Sequence, residues 1–315
     1  MAQRPRFRIG GSRREGVATV PSRMPATDLR RAGLFMVGAA LLFAAMGAGV
    51  KAASRELPGA MVVFFRNAVG FLTLLPWLTR GGVANLRTQH FGEHVVRGLA
   101  GLAAMACFFY GIAHLRLADA MLLNQSVPLF LPFVEGLWLK QAVPSQVWWP
   151  IGVGFLGLLL ILKPGTGLFE PAALVAAASA LLAAVAQVGI RRLTRTEPAT
   201  RIVFYFALIA TTVSALPLLG AWVAPRPKLW IVLLVMGTLA TLGQLCLTKA
   251  YALAPAARVG PFIYTGVVFA SLIDWLLWGR LPDSYSAMGA FVVVGAAVLA
   301  LRMRHPDEQP AIASE

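Results

Sequence analysis

The sequence predicts an all-α polytopic membrane protein, with ten transmembrane helices arranged as two inverted five-helix repeats. Three observations predict it. Almost the whole chain between Ala32 and Leu301 consists of apolar segments about long enough to cross a bilayer, separated by short basic or proline-marked breaks. The composition agrees: 58% of residues are apolar, 13% are charged, and mean hydropathy is +0.72. A soluble domain carries about 25% charged residues. Third, the two halves of the chain share a residue pattern. A spanning helix needs ~20 apolar residues. Hydrocarbon offers no water to backbone polar groups, so the runs must satisfy them internally as helices.

Residues 1–31 come first. They hold Arg4, Arg6, Arg8, Arg13, Arg14, Arg23, Arg30 and Arg31 among Gly, Pro and Ser, and read as a disordered cytoplasmic tail. No small-residue cleavage site follows, which disfavours a secretory signal. Met24 is an alternative start. The first repeat is expected over 32–168. Its helices run over about Ala32–Val50, Gly59–Leu78, Val95–Ala113, Ala118–Leu139 and Val147–Leu162. The second repeat is expected over 169–304, with helices over about Pro171–Ile190, Ile202–Val223, Leu229–Ala250, Val259–Trp278 and Tyr285–Leu301. Residues 305–315 form a second cytoplasmic tail.

Loop charge sets the orientation. With ten spans both termini share one side, and the 79–94 loop, Arg191, Arg192, Arg195, Arg302 and Arg304 fall there too. The opposite loops carry Lys51, Arg55, Arg116, Lys163, Arg226, Lys228 and Arg280. The bias places both termini in the cytoplasm, with the spans in a bacterial inner membrane. The net charge of +15 is thereby explained without nucleic acid. Trp148, Trp149, Trp230, Trp275 and Trp278 sit at segment ends, as interfacial anchors do. Cys107 and Cys246 lie inside apolar runs, so packing is expected rather than a disulfide.

The halves align. Phe109-Tyr110-Gly111-Ile112-Ala113 and Thr248-Lys249-Ala250-Tyr251-Ala252 hold equivalent places, and Cys107 and Cys246 fall at the same shift. A shift one residue longer pairs Lys51, Pro58, Val62 and Phe64 with Arg191, Pro198, Ile202 and Phe204. Five helices per half, an odd number, make the second half enter the membrane upside down. Inverted repeats are typical of secondary transporters, with substrate held near the midplane between them.

Three stretches resemble the EamA-type family of the drug/metabolite transporter superfamily. They are Gly152 through Gly165, Val63-Phe64-Phe65-Arg66, and Gly237 through Pro282 with its Leu247-Thr248-Lys249-Ala250-Tyr251 and Trp278-Gly279-Arg280-Leu281-Pro282. The resemblance spans roughly 32–304. It implies ten helices and secondary active transport of a small metabolite. The glycine-rich fifth helix and its Leu-Lys-Pro-Gly turn look closest to relatives moving S-adenosylmethionine, riboflavin or amino-acid-like metabolites. Many family members place a glutamate at the ends of helices four and nine. Here those places read Leu139-Lys140-Gln141-Ala142 and Gly279-Arg280-Leu281-Pro282, so no coupling role carries over to them.

Arg66 is the first candidate for substrate contact. It reads as the one basic residue deep in a helix, where a charge costs ~2.5–3.5 kcal/mol on insertion scales. Its planar fork suits a carboxylate or phosphate, so an anionic or zwitterionic substrate is expected. Tyr110, Asn124 and Gln125 lie at similar depth in the first repeat. Gln187, Tyr205, Gln244 and Tyr264 mirror them in the second. The bland alternative for each is an interhelical hydrogen bond, worth ~0.6 kcal/mol on average. Glu135 and Asp274 are intramembrane carboxylates and candidates for proton coupling. Both also sit near helix ends, where solvation is easy.

Other chemistry is poorly supported. His114-Leu115-Arg116-Leu117-Ala118-Asp119 has the histidine–aspartate spacing of some membrane acyltransferases, and a membrane-embedded enzyme is the alternative reading. No supporting nucleophile or metal motif accompanies it: His90, His94 and His305 form no ligand set, and no metal or cofactor is expected. No ATP-binding loop is present. The expected partners are a small-molecule substrate, the lipid bilayer and a coupling proton, with no nucleic acid; the oligomeric state stays open.

Overall fold

The computed structural model describes residues 28–81, 86–115, 117–140, 143–165, 170–279 and 281–302. Most of the basic tail, the 305–315 tail, Arg116, Gln141, Ala142 and Arg280 lie outside the described residues. The described part of the chain is helical. Helix α1 (Leu29–Ala53) starts three residues before the apolar run, because the Asp28 carboxylate accepts the Arg31 backbone N–H at 3.0 Å. Then come α2 (Gly59–Gly81) and α3 (Phe91–His114). The fourth crossing is divided into α4 (Leu117–Asn124) and α5 (Val127–Leu139), and α6 (Trp148–Leu162) is the fifth.

The second repeat begins with α7 (Pro171–Leu193), whose proline fits the first helical turn, where its missing N–H has no cost. Helix α8 (Ala199–Ala215) stops short of the predicted Val223, and a single turn, α9 (Leu218–Ala221), follows Pro217. Proline there has no N–H to continue the ladder. Helix α10 (Pro227–Leu253) is unbroken. The ninth crossing consists of α11 (Ala256–Val259), a 3-10 stretch at Gly260–Tyr264, and α12 (Thr265–Trp278). Helix α13 (Ser284–Arg302) ends the bundle. Among the described residues nine spans are long and apolar enough to cross a membrane, and Ala199–Ala215 is a shorter apolar one.

Three predicted helices are therefore discontinuous, and the fourth and ninth break at equivalent places. The spacing from Cys107 to Cys246 carries Gln125-Ser126, between α4 and α5, onto Tyr264-Thr265, where the 3-10 stretch meets α12. The hydroxyls match as well. Ser126 donates to the Leu122 carbonyl at 2.9 Å and Thr265 to the Phe262 carbonyl at 2.6 Å. Each hydroxyl thus bonds a carbonyl one turn back, beside the break.

The repeats interlock. Helix α1 packs on α10 and α12, while its counterpart α7 packs on α3 and α5. Helix α2 lies on α8 and α10, and α6 lies on α13. The largest buried cluster mixes both halves: Met36 and Leu131 meet Ile190, Tyr251 and Phe262. Lipid is as apolar as leucine, so helix association rests on close packing. The α6–α13 crossing shows how close: a Cβ on Gly157 would stand 2.8 Å from the Gly289 carbonyl oxygen, and one on Gly289 would stand 2.6 Å from that of Gly157.

Gly157→Leu should therefore overpack the crossing, at a cost on the order of 1–3 kcal/mol. A clear fall in melting temperature of the purified protein is expected. Gly152→Leu is the control, since nothing stands within 4 Å of its added Cβ. Equal melting temperatures for the two variants would show that the crossing is slack.

Candidate functional site

Between the repeats, about two turns into α2, Arg66 and Asn67 face Thr241 and Gln244 of α10 and Val203, Phe206 and Ala207 of α8. Gly70 and Ala240 complete the cleft. Its open space takes about one water. Gly70 is required by the close approach of α10, since a Cβ there would meet Thr241 Oγ1 at 2.5 Å.

Arg66 donates from Nη1 to Asn67 Oδ1 at 2.7 Å, and Nε–H approaches Met46 Sδ at 3.5 Å. Asn67, 3% exposed, donates in turn to Ser214 Oγ at 3.4 Å on α8. This chain of contacts aims the guanidinium without neutralising it.

A second arginine joins it. Arg97 of α3 is 3% exposed and donates from Nη2 to Gln244 Oε1 at 2.8 Å. Its guanidinium lies 3.6 Å over the centre of the Phe206 ring. Its Nε and Nη1 have no hydrogen-bond partner. Arg66 is therefore not the only basic residue deep in a helix. Helix α3 starts at Phe91 rather than Val95, which sinks Arg97 about one turn deeper. The early start is held by two polar ties. Arg192 Nε–H donates to Glu93 Oε1 at 3.0 Å, and Thr88, whose hydroxyl accepts the His90 backbone N–H at 3.0 Å, donates to Glu197 Oε1 at 2.5 Å. Burial alone would raise the Glu197 carboxyl. The Thr88 and Arg201 hydrogen bonds, with the nearby Arg201 and His94 charges, outweigh it and hold the group below its usual range.

Of the eight candidate contact residues, Arg66 and Gln244 line the cleft. Asn124 instead donates to Ser179 Oγ at 3.1 Å, joining α4 to α7. Gln125 occupies the turn between α4 and α5. Gln187 accepts from the buried Tyr251 hydroxyl. Tyr205 donates to the Leu86 carbonyl at 2.6 Å and lies against His94, with ring centres 4.4 Å apart. Tyr264 is fully buried against Gly154 with its hydroxyl unpartnered. Tyr110 is exposed and stacks on His114, ring centres 4.0 Å apart. Asn67, Arg97 and Thr241 were not among the candidates. Adjacency to Arg66 was the available signal for Asn67.

The two membrane carboxylates are engaged, and they are counterparts. The Cys107–Cys246 spacing carries Glu135 onto Asp274, and the shift one residue longer carries Lys51 onto Arg191. Asp274 pairs with Lys51, whose ammonium also lies 4.0 Å over the Trp278 ring. Glu135, 1% exposed, accepts the backbone N–H groups of Ala256 at 3.0 Å and Ala257 at 2.8 Å. Arg191 shares its electrostatic field and donates to the Tyr251 and Ala252 carbonyls at 2.8 and 3.0 Å. One tie thus joins α1 to α12 on the side away from the termini. The other joins α5, α7, α10 and α11 on the terminal side. The acyltransferase-like spacing does not assemble: His114 bonds the Tyr110 carbonyl, whereas Asp119 accepts from Gly165 N–H. Among the described residues no group of three metal-ligating side chains occurs.

Two interlocked helical repeats around a cationic cleft define a polytopic membrane protein built like a transporter. The chain belongs to the EamA-like transporter family, whose pattern matches residues 30–163 and again 170–302. It is 37% identical over 281 residues to the pseudopaline exporter CntI of Pseudomonas aeruginosa, covering 88% of this chain and 98% of that protein. It is 29% identical to a riboflavin transporter of Vibrio cholerae, over 83% of this chain and 89% of the relative. It is 27% identical to an S-adenosylmethionine uptake transporter of Rickettsia felis, over 75% and 81%. One solved structure, described as the crystal structure of a protein, shares the fold with a TM-score of 0.75 at 20% identity, over 85% of this chain and 96% of that one. The chain is a multi-pass membrane transporter, not an enzyme.

The two carboxylate ties should respond differently to truncation. Glu135→Ala leaves two buried amide donors unsatisfied, a loss of roughly 1–3 kcal/mol for each. Asp274→Ala breaks a partly exposed pair, worth about 0–1 kcal/mol. Melting curves should place Glu135→Ala well below Asp274→Ala; the reverse order would overturn this assignment.

Proposed function

We propose that the chain moves a small organic anion or zwitterion out of the bacterial cytoplasm across the inner membrane, by alternating access around the Arg66 cleft. The observation that carries the reading is Arg66 itself. It is a guanidinium about two turns into α2, positioned by Asn67 and facing a cleft between the repeats. A carboxylate accepting both arms of the fork would replace the hydration that the cleft excludes. Export is favoured because the relative named as an exporter shares 37% identity, against 29% and 27% for the riboflavin and S-adenosylmethionine relatives. Energy would come from an ion gradient or from substrate exchange.

The orientation with both termini cytoplasmic belongs to the same proposal. A cysteine placed by Thr196→Cys, in a background lacking Cys107 and Cys246, should resist a membrane-impermeant reagent applied to intact cells. Labelling there would invert the topology.

Arg66→Ala should abolish transport in liposomes while the protein still purifies with an unaltered chromatographic profile. Arg66→Lys should retain little activity, because one ammonium cannot reproduce the bidentate fork. Losing a charge-assisted contact should weaken binding by roughly 1.5–3 kcal/mol, about tenfold or more. Near-normal transport by well-folded Arg66→Ala would sink the proposal. In the same liposomes, proton drive through Glu135 or Asp274 predicts that collapsing the proton gradient stops accumulation. Unchanged accumulation would leave exchange as the energy source.

A further inference from the structure

We infer that the substrate carries two anionic groups on one organic body, with Arg97 as the second anchor beside Arg66. The inference rests on the transport reading of the cleft and narrows its substrate class. Arg97 is nearly fully buried, yet two of its nitrogens have no partner. Its one strong acceptor, Gln244 Oε1, is neutral and itself lines the cleft. Phe206, which supports the guanidinium face, lines it too. Arg97 therefore stands directly behind the cleft wall that Gln244 and Phe206 form, with donor capacity left over.

Charge balance gives the class. Arg66 and Arg97 sense each other's charge, and neither lies within 4.0 Å of a carboxylate among the described residues. The membrane carboxylates Glu135 and Asp274 are committed elsewhere. Two like charges in a low-dielectric cleft repel, and one monoanion compensates only one of them. A dianion compensates both. The remaining wall, with Val203, Phe206, Ala207 and Ala240, is apolar and suits a carbon skeleton between the two acidic groups. Gly101 lets α3 pack closely here, since a Cβ there would stand 3.3 Å from Phe206.

The test uses the purified full-length protein and linear dicarboxylates from malonate to adipate, each set against the monocarboxylate of equal carbon count. Thermal-shift titration should show dicarboxylates binding about tenfold or more tightly than their partners, the margin of one charge-assisted contact. Arg97→Gln should erase that margin. Gln244→Glu provides a second variant that keeps the side-chain length and supplies Arg97 with an internal carboxylate. It should also erase the margin, by weakening dicarboxylates more than monocarboxylates. Absence of a dicarboxylate preference in the unaltered protein, a preference that survives both variants, or no binding by any probe would each overturn the two-anion assignment. Transport lost in Arg66→Ala alone, with Arg97→Gln active, would leave the carrier reading standing and remove only the second anchor.

Discussion

Each repeat completes its core on the other, and the rest of the molecule depends on that interlock. Helix α1 rests on α10 and α3 on α7, across the repeat boundary rather than within it. Packing of this kind cannot rely on expelling water, because lipid competes equally well for apolar surface. It relies on shape, as at the Gly157–Gly289 crossing. A motion that parted whole repeats would have to strip both the α1–α10 and the α3–α7 interfaces. A motion between mixed bundles, α1–α10–α12 against α7–α3–α5, would strip neither. The cleft lies where residues of α2, α8 and α10 meet, with Arg97 of α3 behind them.

The interlock also places equivalent charges on opposite sides of the membrane. Lys51–Asp274 and Arg191–Glu135 occupy corresponding positions in the repeats, yet their surroundings differ. The first pair is partly exposed, while Glu135 is buried and bonded to two backbone amides at the start of α11. Water can replace the partner of an exposed charge at little cost. Opening around a buried carboxylate must supply new donors at once.

Much of this was legible in the sequence, because hydropathy and loop charge report directly on the bilayer. The spans, the twofold repeat and Arg66 follow from those signals. The breaks in the fourth and ninth crossings do not, since Gln125-Ser126 and Gly260–Tyr264 interrupt the hydrogen-bond ladder without interrupting the apolar pattern. Arg97 was obscured for the opposite reason. Glu93 and His94 look like loop residues, and only tertiary partners such as Arg192 and Tyr205 show that they begin a helix. The mirrored polar residues illustrate a further limit. Depth was readable from position in a span, but azimuth was not, so Asn124 and Tyr205 share the right depth and face other neighbours.

The cleft's charge bears on how binding could drive motion. A ligand shifts a conformational equilibrium only through different affinities for the two states. The half-buried guanidinium of Arg66 and the buried one of Arg97 supply such a difference. Drawing them together around an empty cleft raises their repulsion, whereas drawing them around an anion lowers the energy of both. The neutral contacts, Asn67 to Arg66 and Gln244 to Arg97, hold the forks in place without cancelling that term. A carboxylate at either position would neutralise a guanidinium permanently. Amides in place of acids thus leave both charges for an incoming anion to balance on the proposed reading of the cleft.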